Sequence, residues 1–383
     1  MGTKIRRSDF VIAPYVRSSN RRGALQVLNT IGPYLAAWAL AIQAAQHAVW
    51  ALPLIGVVLV LFALRCFSLM HDCGHQSLFR SPQLNRIAGF LLGLINAMPQ
   101  LAWSKDHAYH HRTNGDWERY RGVADFLSTQ EFAELSRRQQ WFYGFLRHPL
   151  MAIPGGFFYL ALQPRLSLLQ ELAKALRTGK ISKDPEFWDL LLNNICVFGI
   201  LILAGNTWGY GLILGMYSLT LTFAAMFFIW IFFVQHIFEG TYAHRTEGWN
   251  SLEGALSGTS YLVLPALLNW FTADIGYHNI HHLSERIPNY NLRAAHLANA
   301  HLLKEVPKLK LGTMLGCSKF RLWDREHQRL VAIASSTDAG DLLVGDGSRC
   351  QGSQQAQNSR GNQQLLKQFH GGPHTSWRNA PQQ

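Results

Sequence analysis

The residues best suited to chemistry in this sequence are its histidines. There are 17 in 383 residues, and eight of them fall into three tight groups, spaced H-x3-H once and H-x2-H-H twice. On a helix, residues three or four positions apart share a face, with Cβ atoms about 5–6 Å apart. Each group therefore presents at least two imidazoles to one point, as metal binding requires. The groups are His71 and His75; His107, His110 and His111; and His278, His281 and His282.

The number of imidazoles indicates more than one metal ion. Zinc typically takes four ligands and an octahedral metal takes six, so eight histidines suit two ions. A single histidine pair would more often be an incidental surface pair, but three such groups in one chain favour ligands. Imidazole suits zinc, copper, iron and nickel, and ligand type alone leaves the element open. Iron is favoured if the site activates O2, because zinc has no redox chemistry.

Two long stretches of the chain indicate the elements that must position these groups. Residues 23–64 and 190–238 contain no charged residue except histidine, although 15% of the chain is charged. A helix needs about 20 apolar residues to cross a hydrocarbon core roughly 30 Å thick, so each stretch has room for two helices and a short turn. Arg65 lies in the second helix, and we expect it to snorkel to the cytoplasmic face. The predicted membrane helices are 29–47, 51–70, 187–204 and 208–235.

The distribution of Lys and Arg predicts how these helices are oriented. Neither short turn contains Lys or Arg, whereas the three long flanking segments are rich in both. By the positive-inside rule, the turns face away from the cytoplasm, and both termini and the histidine groups face it. We therefore predict an all-α membrane protein with four transmembrane helices as two hairpins and a cytoplasmic helical cap that holds the metals. Dispersed basic residues without a recognition motif argue against nucleic-acid binding, despite a net charge of +12.

The same pattern divides the chain into three parts. Residues 1–28 are predicted to be a cytoplasmic N-terminal segment, and 29–333 the membrane domain, with its cap at 71–186 and 236–333. Residues 334–383 are rich in Gly, Ser, Asn and Gln and are predicted to be a disordered tail. Three more apolar stretches carry polar or helix-breaking residues, so we assign them to the membrane interface or the cap. These stretches are 87–103, 149–162 and 254–273.

A ninth histidine and several carboxylates stand near the three groups. If the helix over 208–235 continues, it carries His236 roughly 12 Å beyond the lipid core, in the same layer as the other histidines. The competing interpretation is an interfacial histidine bonded to backbone or to a lipid headgroup. Carboxylates near metal-binding histidines commonly orient an imidazole N–H, although we expect Asp116 to be a solvated charge at a helix end. The candidates for the orienting role are Asp72, Asp106, Asp274 and Glu239.

The histidine groups and the sequence around them resemble the integral-membrane fatty acid desaturase family. The similar segments are HDCGHQSLF, HAYHHRTNGD, HNIHHLSERIPNYNLRAAH and RLWDREH, and the resemblance covers about residues 65–330. They are most similar to acyl-lipid desaturases that add a second or third double bond toward the methyl end of an unsaturated chain. The H-x3-H spacing of the first group and His278 at the start of the third both favour this methyl-end type.

The resemblance implies a membrane oxidoreductase with a non-haem di-iron centre. The nine histidines would hold two iron ions, and His236 matches an extra histidine that relatives carry on the fourth helix. Some relatives have an asparagine one turn earlier, where this chain has Phe232. With O2 as co-substrate and two electrons, the expected reaction removes hydrogens from two adjacent methylenes. It leaves a cis double bond at the Δ12 (ω6) or the ω3 position.

The resemblance also implies partners and a location. The substrate would be the acyl chain of a membrane lipid. Electrons should come from a separate carrier, because the chain has no HPGG segment like that of cytochrome b5. Ferredoxin is favoured over cytochrome b5, and a basic cytoplasmic surface would suit an acidic carrier. The expected location is the bacterial inner membrane, with the active site and both termini in the cytoplasm.

Three alternative functions are compatible with histidine groups of this kind. A lipid hydroxylase or a carotenoid ketolase could use the same histidines, and a hydroxylase would accumulate a hydroxy lipid instead of a diene. A histidine-rich metal transporter would place its ligands inside the apolar spans, whereas these groups lie at the ends of the spans. A catalytically silent membrane scaffold has no reason to keep three complete groups.

Overall fold

Helices make up most of the computed structural model, which describes residues 5–120 and 126–333. The tail predicted at 334–383 lies outside the described residues. The α-helices are α1 (Asn20–His47), α2 (Leu52–Gly74), α3 (Pro82–Ile95), α4 (Gln100–Thr113), α5 (Thr129–Ala133), α6 (Arg137–Leu146), α7 (Ala152–Phe157), α8 (Gln163–Thr178), α9 (Pro185–Trp208), α10 (Tyr210–His236), α11 (Ser251–Leu256), α12 (Ala266–Phe271), α13 (His278–Leu283), α14 (Asn289–Ala298) and α15 (Leu311–Met314).

Short strands and turns accompany the helices, which is a difference from the all-α prediction. The strands are β1 (Leu127–Ser128), β2 (Tyr261–Val263), β3 (Lys308–Lys310), β4 (Leu322–Asp324) and β5 (Arg329–Val331). β4 lies between a parallel β1 and an antiparallel β5, and β2 pairs in parallel with β3. Two or three residues are too few to show the alternation that predicts a strand. Single 3₁₀ turns occur at Arg7–Asp9, Val49–Ala51, Pro149–Met151, Thr246–Gly248 and Leu315–Lys319, and a π-helical turn at Phe158–Leu162.

Within the described residues, four helices are long and apolar enough to cross a membrane, as predicted. They are α1, α2 with the turn before it, α9 and α10. The largest extension beyond the predicted bounds is at the start of α1, where the Ser19 hydroxyl accepts the backbone N–H of Arg22 and caps the helix. α2 likewise continues to Gly74. These additional turns carry polar residues, so the apolar pattern did not extend to them.

The connections between the apolar helices are short. Between α1 and α2 the chain makes one turn, and Pro53 lies in the first turn of α2, where no backbone N–H is needed for the helix. Between α9 and α10 only Gly209 interrupts the helix, with φ of 92°. A residue with a Cβ rarely adopts this conformation, so glycine ends one helix and begins the next.

α2 is the most enclosed of the four apolar helices. Its first half packs between α1 and α10 through small side chains, including the fully buried Ala41 of α1 and its own Ala63. Small residues allow helices in a membrane to approach closely. Its second half contributes Leu69 and Met70 to the largest buried cluster of the described residues. The end of α2, which carries the first histidine group, is therefore held firmly inside the fold.

α3 and α4 form a bent pair, with an angle of 102° between them. Pro99 stands directly before α4 and has no backbone N–H with which to continue α3. Asn96, at the end of α3, donates its side-chain N–H to the carbonyl of Ala63, which fixes the bend against α2. The stretch 87–103 contains this bend. Where it and the two later apolar stretches lie relative to a membrane stays a prediction.

Arg65 is buried inside the fold, so the expectation that it snorkels is wrong. The residue is 2% exposed. Its Nε donates to the Thr30 hydroxyl of α1 at 3.0 Å, and its Nη1 donates to the carbonyl of Trp270 in α12. The guanidinium also lies over the Trp270 ring, 3.8 Å from the ring centroid. Arg65 therefore connects three helices that are far apart in sequence.

Replacing Arg65 by leucine should destabilise the protein. Hydrogen bonds from a charged donor contribute about 1.5–3 kcal/mol each, while the apolar side chain avoids the cost of burying a charge. We expect a net loss of about 2 kcal/mol, measured as a lower midpoint of thermal unfolding in detergent. Arg86→Leu, at an exposed position of α3, is the matched control. Equal midpoints for both variants would contradict the connecting role of Arg65.

Candidate metal centre

All nine predicted ligand histidines come together in two adjacent groups. Within each group, one ring nitrogen from every member lies within 4.8 Å of the others. The first group has five members and the second has four, and we call them group A and group B. Group A is His71, His75, His107, His111 and His281, and group B is His110, His236, His278 and His282.

The helical spacing of α4 and α13 explains how each helix serves both groups. α4 gives His107 and His111, four residues apart, to group A, and its third histidine to group B. α13 does the reverse, giving His278 and His282 to group B and His281 to group A. Residues four apart on a helix lie on one face, while the residue between them is rotated by about 100° per position. Both helices therefore pass between the groups.

The Nε2 atoms converge at the spacing that a shared cation requires. Nε2 to Nε2 distances are 3.3 Å for His71 and His75, and 3.1 Å for the His107–His111 pair in group A. In group B the distance is 2.9 Å between His236 and His278. Two nitrogens at right angles on one ion, each bonded at about 2.1 Å, would be about 3.0 Å apart. The donor set and its geometry fit a metal in each group.

Acceptors beside the Nδ1 atoms of two imidazoles fix the tautomer of each ring. Metal binding through Nε2 needs this tautomer. His71 Nδ1 lies 3.4 Å from a carboxylate oxygen of Asp72, and His236 Nδ1 lies 3.2 Å from the carbonyl oxygen of Gly258. Both partners are acceptors, so each Nδ1 carries the proton and each Nε2 presents a lone pair. Asp72 is itself fixed, because it accepts the backbone N–H of Asn289 at 2.7 Å and the Asn289 side chain at 2.9 Å.

Glu285, which the sequence analysis did not select, lies beside two members of group A. Its Oε2 lies 3.3 Å from His75 Nδ1 and 3.8 Å from His111 Nδ1. The contact with His75 is the largest influence that holds the pKa of Glu285 below its ordinary value. The only signal in the sequence was an acidic residue three positions after His282. The sequence alone did not show that Glu285 lies beside His75 and His111.

The other predicted carboxylates lie in varied surroundings. Asp106 and Glu239 are exposed, and partial burial raises the pKa of Asp274. An orienting role for these three stays a prediction. Asp116 is fully buried and accepts the Thr246 hydroxyl at 3.1 Å, so its expected solvation is wrong. The reason is that the segment after α10 returns to cover the end of α4.

Burial keeps the imidazoles of α13 neutral. It holds the pKa of His278, His281 and His282 well below the ordinary histidine value, because a charged ring would lose its hydration. A neutral imidazole keeps the lone pair that binds a metal. These lone pairs face one another with little water, so a cation at the centre of each group is the natural partner.

The two groups are in direct contact with each other. The ring of His111 in group A stacks on the ring of His282 in group B, with centroids 4.2 Å apart. Phe232, one turn before His236, lies against group B, with its ring centroid 4.9 Å from that of His110. The two groups therefore lie side by side as one histidine centre, with an aromatic side chain beside it.

A small cavity opens beside this centre. It touches both groups, through His71 and His107 on one side and His278 on the other. The remaining wall is mostly apolar, which suits a hydrocarbon chain better than a polar ligand. This part of the lining is Leu64, Ser68, Phe228, Ile231, Phe232, Gln235, Thr272 and Ile275.

Comparison with known proteins agrees with this geometry. The sequence model of the fatty acid desaturase family matches residues 48–310. A Bacillus subtilis protein named fatty acid desaturase is 31% identical over 84% of this chain and 89% of its own length. The chain belongs to the fatty acid desaturase family. The resemblance seen in the histidine motifs is thereby confirmed, and the protein is an oxidoreductase of this class.

Other relatives of this desaturase have more specific names. A Nostoc protein named sn-1 acyl-lipid omega-3 desaturase (ferredoxin) is 28% identical over 60% of this chain and 62% of its own length. A Picosynechococcus protein named sn-1 oleoyl-lipid 12-desaturase is 28% identical over 60% of this chain and 63% of its own length. These relatives therefore differ among themselves in the position at which they act.

Removing one histidine from either group of the desaturase should cost one metal ion. We expect His111→Ala (group A) and His236→Ala (group B) each to lower iron from about two ions per chain to about one, because each loses a ligand from a buried cluster. Iron is measured by inductively coupled plasma mass spectrometry on purified protein. His301→Ala, at an exposed position, is the control. Full iron in both group variants would contradict these ligand sets.

Changing Asp72 to asparagine should weaken metal binding without removing a ligand. The amide keeps the shape of the side chain but loses the charge that holds the His71 N–H and the start of α14. Loss of such an outer partner typically lowers metal affinity by about 10–100-fold. Competition with a chelator measures this affinity. Glu247→Gln, at an exposed position after α10, controls for the loss of a charge, and equal affinities would contradict the role of Asp72.

Proposed function

We propose that this desaturase inserts a cis double bond into the acyl chain of a membrane lipid, using O2 and a di-iron centre held by the nine histidines. The observation that carries the proposal is the apolar cavity that touches both histidine groups at once. A substrate chain in this cavity would present one carbon–carbon bond to both metal positions. We infer methyl-end action, at Δ12 (ω6) or ω3, because relatives named for these activities match more than half of the chain.

The iron pair would supply the oxidising power with O2 and two electrons, and the protein's own side chains would do the rest. Leu64, Phe228 and Ile231 would hold a featureless chain in place by contact alone. Phe232 would shield the centre from water on the cavity side. No protein acid or base is needed at the substrate, since the bonds that break are carbon–hydrogen bonds.

The proposal includes a membrane arrangement and an electron donor. We propose that the four apolar helices cross the bacterial inner membrane as two hairpins, with the histidine centre in a cytoplasmic cap. The scarcity of Lys and Arg in the two connecting turns supports this orientation. A ferredoxin is the proposed donor, because relatives that match 59–60% of the chain are named as ferredoxin-dependent.

The activity is tested by fatty acid analysis of a host that makes the protein. Gas chromatography with mass spectrometry should show a new cis double bond with the unmodified protein, and none with His107→Ala, because a ligand that also lines the cavity is lost. His47→Ala, at the exposed end of α1, should behave as the unmodified protein. A hydroxy lipid in place of the unsaturated product would show a hydroxylase instead. Unchanged lipids with folded, iron-loaded protein and an active donor would contradict the proposal.

Filling the cavity should stop the reaction while leaving the metals in place. Ile231→Trp adds a bulky ring to the lining, so we expect at least a tenfold loss of unsaturated product with unchanged iron content. Ile202→Trp makes the same change at an exposed position of α9 and should leave the product unchanged. Full activity of Ile231→Trp would show that the acyl chain binds elsewhere.

A further inference from the structure

Group A has one edge at which a partly exposed carboxylate, that of Glu285, lies beside two histidines. These are His75 and His111, the two of the nine that as whole residues are only partly buried, although their side chains are 4% and 5% exposed. The Glu285 side chain is 44% exposed, and its Oε2 lies 3.3 Å from His75 Nδ1. Every member of group B is buried. Glu285 and the His75 ring therefore form one connection between solvent and the centre.

Three exposed arginines lie near Glu285. Arg286 follows Glu285 directly in the chain, and the positive charge of Arg112 acts on the Glu285 carboxylate. Arg7, from the N-terminal segment, donates to the carbonyl of Leu283 at 2.8 Å and so lies beside the same turn. All three residues are exposed. The sum of these three charges and the one negative charge of Glu285 is positive.

We propose that an acidic one-electron carrier docks on the ring formed by Arg7, Arg112 and Arg286, and that its electrons enter the centre across the edge covered by Glu285. This inference depends on the proposed function, because only a redox centre needs such a carrier. A ring of positive charge attracts an acidic partner and raises its association rate, mainly at low ionic strength. The ring lies beside Glu285, the partly exposed carboxylate that contacts group A, so docking and electron entry would share one place.

We take the partner to be a protein because the arginines lie beside the approach to the metal centre. A site for lipid headgroups would not need to surround the approach to a metal centre. Glu285 at the middle of the ring would also repel a headgroup phosphate at close range. A protein surface is larger, and it can contact the three arginines while it tolerates one carboxylate between them.

The test uses the full chain in detergent, loaded with iron, and a reduced plant-type [2Fe–2S] ferredoxin as the probe. Stopped-flow absorbance gives the second-order rate of electron transfer. For the double variant Arg112→Gln, Arg286→Gln we expect about a tenfold lower rate at low salt, and a smaller difference at high salt as the charges are screened. Reduction by dithionite, a small anion that needs no docking surface, should slow much less than reduction by ferredoxin, and iron content should not change.

Two further variants separate docking from structural damage. Arg286→Lys keeps the charge and should keep most of the rate, and Arg138→Gln removes an exposed arginine of α6 and should have no effect. Glu285→Gln removes the negative charge within the ring, so it should raise the ferredoxin rate relative to the dithionite rate. A purely structural role predicts a fall in both rates. The opposite signs expected for the arginine and glutamate variants are the signature of docking.

Three results would overturn the inference: equal ferredoxin rates for the double variant and Arg138→Gln, an equal loss with dithionite, or a change confined to binding of anionic lipid vesicles. Each of them leaves the proposed function intact if the unmodified protein still forms a double bond with ferredoxin. Conversely, absence of product from the unmodified, iron-loaded protein with reduced ferredoxin would contradict the function itself.

Discussion

The structure depends on nine imidazoles that are brought together with their Nε2 atoms facing one another in a buried space. Such an arrangement is unfavourable without a cation, since the rings have little water and few proton donors among them. A metal in each group reverses this, because every lone pair then makes a strong bond. The bent α3–α4 pair, the enclosed end of α2 and the contacts of Arg65 can all be understood as the framework that holds these rings in place.

The centre is asymmetric in its surroundings as well as in its ligand number. Group A has two carboxylates on its outer nitrogens, from Asp72 and Glu285, whereas His236 of group B has the neutral carbonyl of Gly258. Negative outer partners make an imidazole a stronger donor. The two groups should therefore differ in the strength with which their imidazoles bind a metal.

Sequence reasoning selected the histidines that cluster in the structure because their spacing is local, and it missed what depends on distant contacts. The four-residue spacing of histidines within α4 and α13 can be read from the sequence alone, and so can the apolar stretches that form the long helices. The division of each histidine triplet between two groups needs the relative placement of α2, α4, α10 and α13. Glu285 and the burial of Arg65 depend on partners far away in the chain. The short strands are below the length at which any pattern can be recognised.

The central claim is that the nine histidines bind two iron ions side by side. X-ray absorption at the iron edge, on full-length protein with its iron counted, tests this most directly. The account predicts about two irons per chain, four to five imidazoles around each on average, and scattering from a neighbouring iron. One iron per chain, or iron surrounded mainly by oxygen without imidazole scattering, would contradict it.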